Sequence, residues 1–210
     1  MIITYLGGEF VKVQFGDTIL AFNPISKDSP LKASRFGADI ALSSINHPDM
    51  NGIDQVTFGE KKPFAVTGPG EYEIKGVFIK GLQSASNYGG EVNVNTIFTV
   101  NLEGINLCFL GALNQTELPK EADEAIEDVD ILFVPIGGDG VLDAVKAYKL
   151  AIAMASKIIV PIHYGDFGNK DALKLFLKEA GENPSPVVKL TLKKKDLEGK
   201  EAEVVVLQKE

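Results

Sequence analysis

His47 and Asp49 stand two residues apart in "SSINHPDMN", and the only other histidine, His163, follows the apolar run "KIIVPI". Both histidines fall where a buried strand gives way to a loop, a place from which polar side chains can converge above a sheet. Together the imidazoles and the carboxylate make the minimum of three protein ligands for a zinc ion. Spacing alone leaves a second reading open. His-x-Asp recurs in turns where the aspartate caps the following segment, and His163 beside Tyr164 also fits a hydrogen-bonded core histidine.

Other chemistries find less in the chain. Cys108 is the single cysteine, so neither an internal disulfide nor a thiolate zinc cluster can form, and its neighbours in "INLCFLGAL" make it a buried, inert thiol. "GGDG" and "TGPGEYEIKG" lack both the Gly-x-Gly-x-x-Gly context before a helix and a Walker lysine, so they read as tight turns. No Gly-x-Ser-x-Gly elbow occurs. Glu71 and Glu73 alternate about Tyr72 and share one solvated strand face.

The elements that must position these residues follow from the periodicity. Val11, Val13 and Phe15 alternate with Lys12 and Gln14, and "FGDT" turns this strand into "TILAF", with Gly16 placed for a positive φ. "ADIALSS" is a buried strand leading into the His47 loop. "GVFIKGLQS", "VNTIFTVNLEG" and "INLCFLGAL" read as an antiparallel meander. The last third alternates: an acidic helix in "TELPKEADEAIEDV", the strand "VDILFVPIGG", a helix in "GVLDAVKAYKLAIAMAS", the strand "KIIVPIHYG", a helix in "NKDALKLFLKEAG" stopped by glycine, and a final strand "EVVVLQ". No linker or repeat divides the chain. Residues 1–210 read as one α/β domain in which two β-rich halves each carry helices on the outer face.

Composition narrows the partners. The formal net charge is −8 and Arg35 is the only arginine, which argues against a nucleic-acid binder, whose affinity comes from clustered cations. Lys193, Lys194 and Lys195 read as solvated strand ends and a turn. No run approaches a membrane span, and the amino terminus lacks a basic leader, so the expectation is a soluble cytoplasmic protein.

Motifs and their order together resemble the metallo-β-lactamase fold, in its branch of short bacterial metal-dependent hydrolases similar to ascorbate-6-phosphate lactonase. The resemblance runs over nearly the whole chain, through "ITYLGG", "TILAFNP", "ADIALSSINHPDMN", "GPGEYE", "PIGG" with "LDA", and "VPIHY". It implies an αββα sandwich of two mixed sheets, with a dinuclear metal site between loops at one edge.

The family's loop H-x-H-x-D-H is matched here by Ile45, His47, Asp49 and Met50. Ser86 stands at the place of a third histidine ligand, Ala112 at the bridging aspartate, and His163 keeps the final histidine. Gly8 replaces a histidine after "YLG", and Asn23 the aspartate before Pro24. The resemblance thus leaves His47, Asp49 and His163 as residual candidates for metal binding or catalysis. The ligand positions Ile45, Met50, Ser86 and Ala112 have changed.

Metal-bound water at lowered pKa drives hydrolysis in this fold, and one or two ligands per ion cannot hold a metal firmly. The expectation is therefore a pseudoenzyme with no cofactor, serving as a ligand- or partner-binding scaffold. Self-association is the default partner for such a scaffold. The alternative is a hydrolase of lactones or phosphoesters working through one weakly bound Zn or Mn. Metal-free chemistry by a His–Asp pair with Ser43, Ser44 or Ser86 ranks third.

Overall fold

The computed structural model describes residues 1–165 and 167–210. The amino-terminal strands are β1 (Ile2–Tyr5), β2 (Val11–Phe15), β3 (Thr18–Phe22), β4 (Ile40–Leu42) and β5 (Phe64–Val66). A meander follows: β6 (Gly70–Ile74), β7 (Val77–Ser86), β8 (Asn93–Leu102) and β9 (Ile105–Phe109). The last third holds α1 (Lys120–Ala125), β10 (Ile131–Pro135), α2 (Ala144–Ala153), β11 (Ile158–Ile162), α3 (Ala172–Ala180), β12 (Leu190–Thr191) and β13 (Glu203–Val204).

These strands form two mixed sheets, in the orders β12-β1-β2-β3-β4-β5 and β13-β11-β10-β9-β8-β7-β6. In the first, β3, β4 and β5 run parallel. In the second, β9, β10, β11 and β13 do. The meander and the β2–β3 hairpin pair as the alternation predicts, and Gly16 takes its expected positive φ of 56°.

Between the sheets lie Ile3, Val11, Val13, Leu20 and Phe22 from one side and Phe98, Val100, Phe109, Phe133 and Val160 from the other. Phe22 stacks on Phe109 at 4.9 Å between ring centroids, which locks the two sheets face to face. The strands β10 and β11 are apolar throughout because both faces are covered. Their second face meets α2 and α3 through Leu132, Val134, Ile159, Ala147, Leu150 and Phe176. Cys108 is buried in this same layer, and burial pushes its thiol up to about 12.

Within the expected two-sheet sandwich, two details differ from the sequence pattern. The outer face of the first sheet carries no α-helix among the described residues. Leu6, Phe10, Ala21 and Ala41 are instead covered by Ile25, Phe36 and Val56, which lie on an irregular stretch and a 3₁₀ turn, Ile53–Val56. Pro24, Pro30 and Gly37 deny that stretch a helical run. The final strand is also shorter than "EVVVLQ": only Glu203–Val204 pair with β11, and the chain then passes into an isolated bridge between Val187 and Leu207. No helix among the described residues is long and apolar enough to cross a membrane.

Candidate functional site

The carboxyl ends of β3, β4, β9, β10 and β11 open at one edge of the sandwich, joined there by the loops after β1 and β7. His47 and Asp49 come from the β4 loop and His163 directly follows β11, so the fold gathers all three predicted residues at that edge.

Asp49 is buried, and its two oxygens are already engaged. Ser29 Oγ donates to Oδ1 at 2.6 Å, and the Tyr88 hydroxyl donates to Oδ2 at 2.8 Å. The His47 ring is held by its Nδ1 edge, 3.4 Å from Asp49 Oδ2 and 3.3 Å from the Asp49 backbone N–H. Tyr88 stands between the histidines, with ring centroids 4.8 Å from His47 and 5.3 Å from His163, both edge-on. Burial, and then the bond to Asp49, push the Tyr88 hydroxyl far above the ordinary phenol range, so it stays a donor.

His163 is fixed from its other nitrogen. Nδ1 lies 2.8 Å from Glu9 Oε1, with both side chains buried, while Nε2 has no hydrogen-bond partner among the described residues. Asn23 Nδ2 donates to Glu9 Oε2 and to Ser44 Oγ, each at 2.8 Å, and Asn23 Oδ1 accepts the Ser44 backbone N–H at 2.7 Å. The surroundings explain two of the replaced positions, Asn23 through this polar chain and Gly8 through a neighbouring ring. An aspartate at 23 would set a second carboxylate against Glu9, whereas the amide donates to it. At Gly8 a Cβ would lie 2.8 Å from Phe167 Cε2, so Phe167 fills the space that a side chain there would need.

The changed ligand positions form a third structure. Ile45, Met50 and Ala112 are buried together with Tyr88 and Val141 in one small apolar cluster. The Asn95 side chain pins the loop that carries Ala112. Its Oδ1 accepts the Ala112 N–H and its Nδ2 donates to the Leu110 carbonyl, both at 2.9 Å. Ser86, at the end of β7, accepts the Tyr88 N–H at 3.1 Å and so holds the tyrosine's turn.

A dinuclear hydrolase centre needs several charged or imidazole donors converging on each ion, and a single zinc needs three. Among the described residues no three His, Cys, Asp or Glu side chains stand together closely enough to hold one. The residues present do not fit the metal group that the resemblance implies. Nor does a serine nucleophile emerge: Ser43 Oγ donates to the Ile45 carbonyl, and Ser44 and Ser86 accept the bonds given above.

Sequence reasoning missed Glu9, Ser29, Tyr88 and Phe167. Glu9 carried a signal, a lone charge in the apolar run "YLGGEFV". Tyr88, one aromatic among glycines and asparagines, carried none. Glu71, the expected solvated face, lies on the edge strand β6 with Lys80 at 3.1 Å.

Comparison with known proteins agrees with this architecture. The model of the beta-lactamase superfamily domain matches residues 2–163. A UPF0173 metal-dependent hydrolase from Anoxybacillus flavithermus is 25% identical over 199 residues, covering 80% of this chain and 87% of the relative. The crystal structure of a candidate zinc-dependent hydrolase of the metallo-β-lactamase superfamily from Thermotoga maritima superposes with a TM-score of 0.75 at 27% identity, over 98% of this chain and 97% of that one. Igni18, a metallo hydrolase from Ignicoccus hospitalis, shares the fold at a TM-score of 0.63 and 17% identity, over 99% and 94%. The chain belongs to the beta-lactamase superfamily and has the metallo-β-lactamase fold.

Proposed function

We propose that this protein is a non-catalytic member of its hydrolase family, a scaffold that binds a ligand or partner without metal. One observation carries the reading: three of the positions at which the resemblance expects metal ligands, Ile45, Met50 and Ala112, hold apolar side chains packed together. The apolar cluster of Ile45, Met50, Ala112 and Val141 closes around Tyr88, and the Tyr88 hydroxyl gives Asp49 the electropositive partner that a metal would otherwise supply. Asp49 and Glu9 are buried carboxylates with hydrogen-bond partners already in place, so neither needs an ion to offset its desolvation.

A second reading has one observation in its favour. His163 Nε2 is buried without a partner among the described residues, and a nitrogen in that state is available to a cation. Under this alternative, His47, Asp49 and His163 hold one Zn or Mn and support weak hydrolysis of lactones or phosphoesters.

Metal content decides between them. Untagged protein is incubated with zinc or manganese, desalted and measured by inductively coupled plasma mass spectrometry. The scaffold reading expects well under one metal per chain, with no change in His163→Ala. Near-stoichiometric metal that disappears in His163→Ala would establish the alternative and sink the scaffold.

A further inference from the structure

Beside the closed metal pocket lies an open one of about 400 Å³, lined by His47, Asn87, Gly89, Gly90, Asp139 and Gly140, with Tyr88 as its inner wall. That volume suits a small metabolite. We propose that this pocket binds a small hydrophilic molecule carrying a protonated amine, with Asp139 as its counter-ion and the His47 imidazole and Asn87 amide as hydrogen-bonding partners. The inference deepens the scaffold reading and rests on it, because the inner wall is the tyrosine that closes the metal pocket.

The sign of the charge follows from the lining. Among the described residues no lysine or arginine faces the pocket, and Asp139 is its only ordinarily ionised side chain. Asp139 is exposed and has no ion pair or hydrogen-bonded side chain among the described residues. Asp49 lies directly behind Tyr88 and His47, which adds negative potential from the inner side. A glycine-rich turn can cradle an anion with its backbone N–H groups, but here two of them are already committed. The Tyr88 N–H donates to Ser86 Oγ and the Gly90 N–H to the Asn87 carbonyl.

The polar groups are also held in position. His47 is fixed through Nδ1, and its Nε2 edge lies against Gly89, where a Cβ would approach to 3.2 Å. Asn114 Nδ2 donates to Asn87 Oδ1, which fixes the Asn87 amide. Ordering these groups before binding lowers the entropy cost of capture.

The test is a titration of ¹⁵N-labelled, full-length protein with glucosamine, ethanolamine and putrescine. Glucose, glucose 6-phosphate and acetate serve as neutral and anionic counterparts. The expected result is a saturable shift of the Gly89, Gly90 and Gly140 amide signals with one or more amines and not with the counterparts. Asp139→Asn should weaken binding at least tenfold, while Asp17→Asn, in the distant β2–β3 turn, should not change it. Equal response to neutral or anionic probes, silence to all three amines, or an undiminished response in Asp139→Asn each overturns the proposal. Metal content of the same sample separates the two readings. Stoichiometric metal defeats the scaffold, whereas a metal-free protein silent to the amines defeats only this assignment.

Discussion

Two buried aspartates bracket the short strand β4, and they are satisfied in opposite ways. Asp39, just before the strand, accepts from two ammonium groups, Lys61 at 2.9 Å and Lys75 at 2.6 Å, and from the Ile19 backbone N–H at 2.9 Å. Asp49, in the loop beyond it, accepts from two neutral hydroxyls. At one end of the sandwich a carboxylate is balanced by partly exposed cations, and at the other by buried hydroxyl dipoles. Where the family resemblance implies several cations' worth of charge, the chain places a phenol, an amide and aliphatic side chains, and it leaves its carboxylates to hydrogen bonds.

The largest expected effect comes from removing a charge at the site edge. Glu9→Ala strips His163 and Asn23 of their shared partner in a fully buried setting, leaving two buried polar groups unsatisfied at about 1–3 kcal/mol each. Urea unfolding monitored by circular dichroism measures it. A loss under about 1 kcal/mol would mean that the polar chain contributes little.

Tyr88 comes next and separates two contributions. Tyr88→Ala opens a cavity in the cluster with Ile45, Met50, Ala112 and Val141, worth about 3–5 kcal/mol. Tyr88→Phe keeps the ring and takes only the donor from Asp49 Oδ2, worth about 1–3 kcal/mol. If Tyr88→Phe unfolds at the same urea concentration as the parent, the Tyr88 hydroxyl is not what balances Asp49, and Ser29 and His47 suffice for it.

The comparison also shows what could be read from the chain beforehand. Strand alternation in "VKVQF", the uniformly apolar "ILFVP" and the glycine stop of "LKLFLKEAG" reflect burial on one face, on two faces and at a helix end, so they were legible residue by residue. The cover of the first sheet was not, because an irregular segment buries side chains without any period. At the site, His47, Asp49 and His163 were legible as types able to ligate, and Ile45, Met50 and Ala112 as types unable to. The partners of these residues were hidden, since Tyr88 reaches Asp49 across 39 positions and Glu9 reaches His163 across 154. Such long-range polar pairs leave no local trace in composition or spacing.

The smallest expected effect sits at the Asp39 end and depends on pH. Burial alone would raise its pKa, but the bonds from Lys75, Lys61 and the Ile19 N–H outweigh burial and hold the carboxyl at about 2, below the ordinary 3.8. A group whose folded pKa is depressed contributes stability above its unfolded pKa, and that contribution fades as the folded form takes up its proton. The contribution should therefore be complete at neutral pH, begin to fall near pH 4 and be gone by about pH 2. Because both lysines are substantially exposed and screened by solvent, the amount is about 1 kcal/mol rather than the full value of the shift. Asp39→Asn should be less stable than the parent by roughly that much at pH 7, and the two should converge as pH drops through this window. The gap should also narrow in 1 M salt, because exposed ammonium groups are its source. A gap that persists unchanged to pH 2 would mean that the amide's loss is one of hydrogen-bond geometry, and that Asp39, like Asp49, is held by fixed dipoles and not by charge.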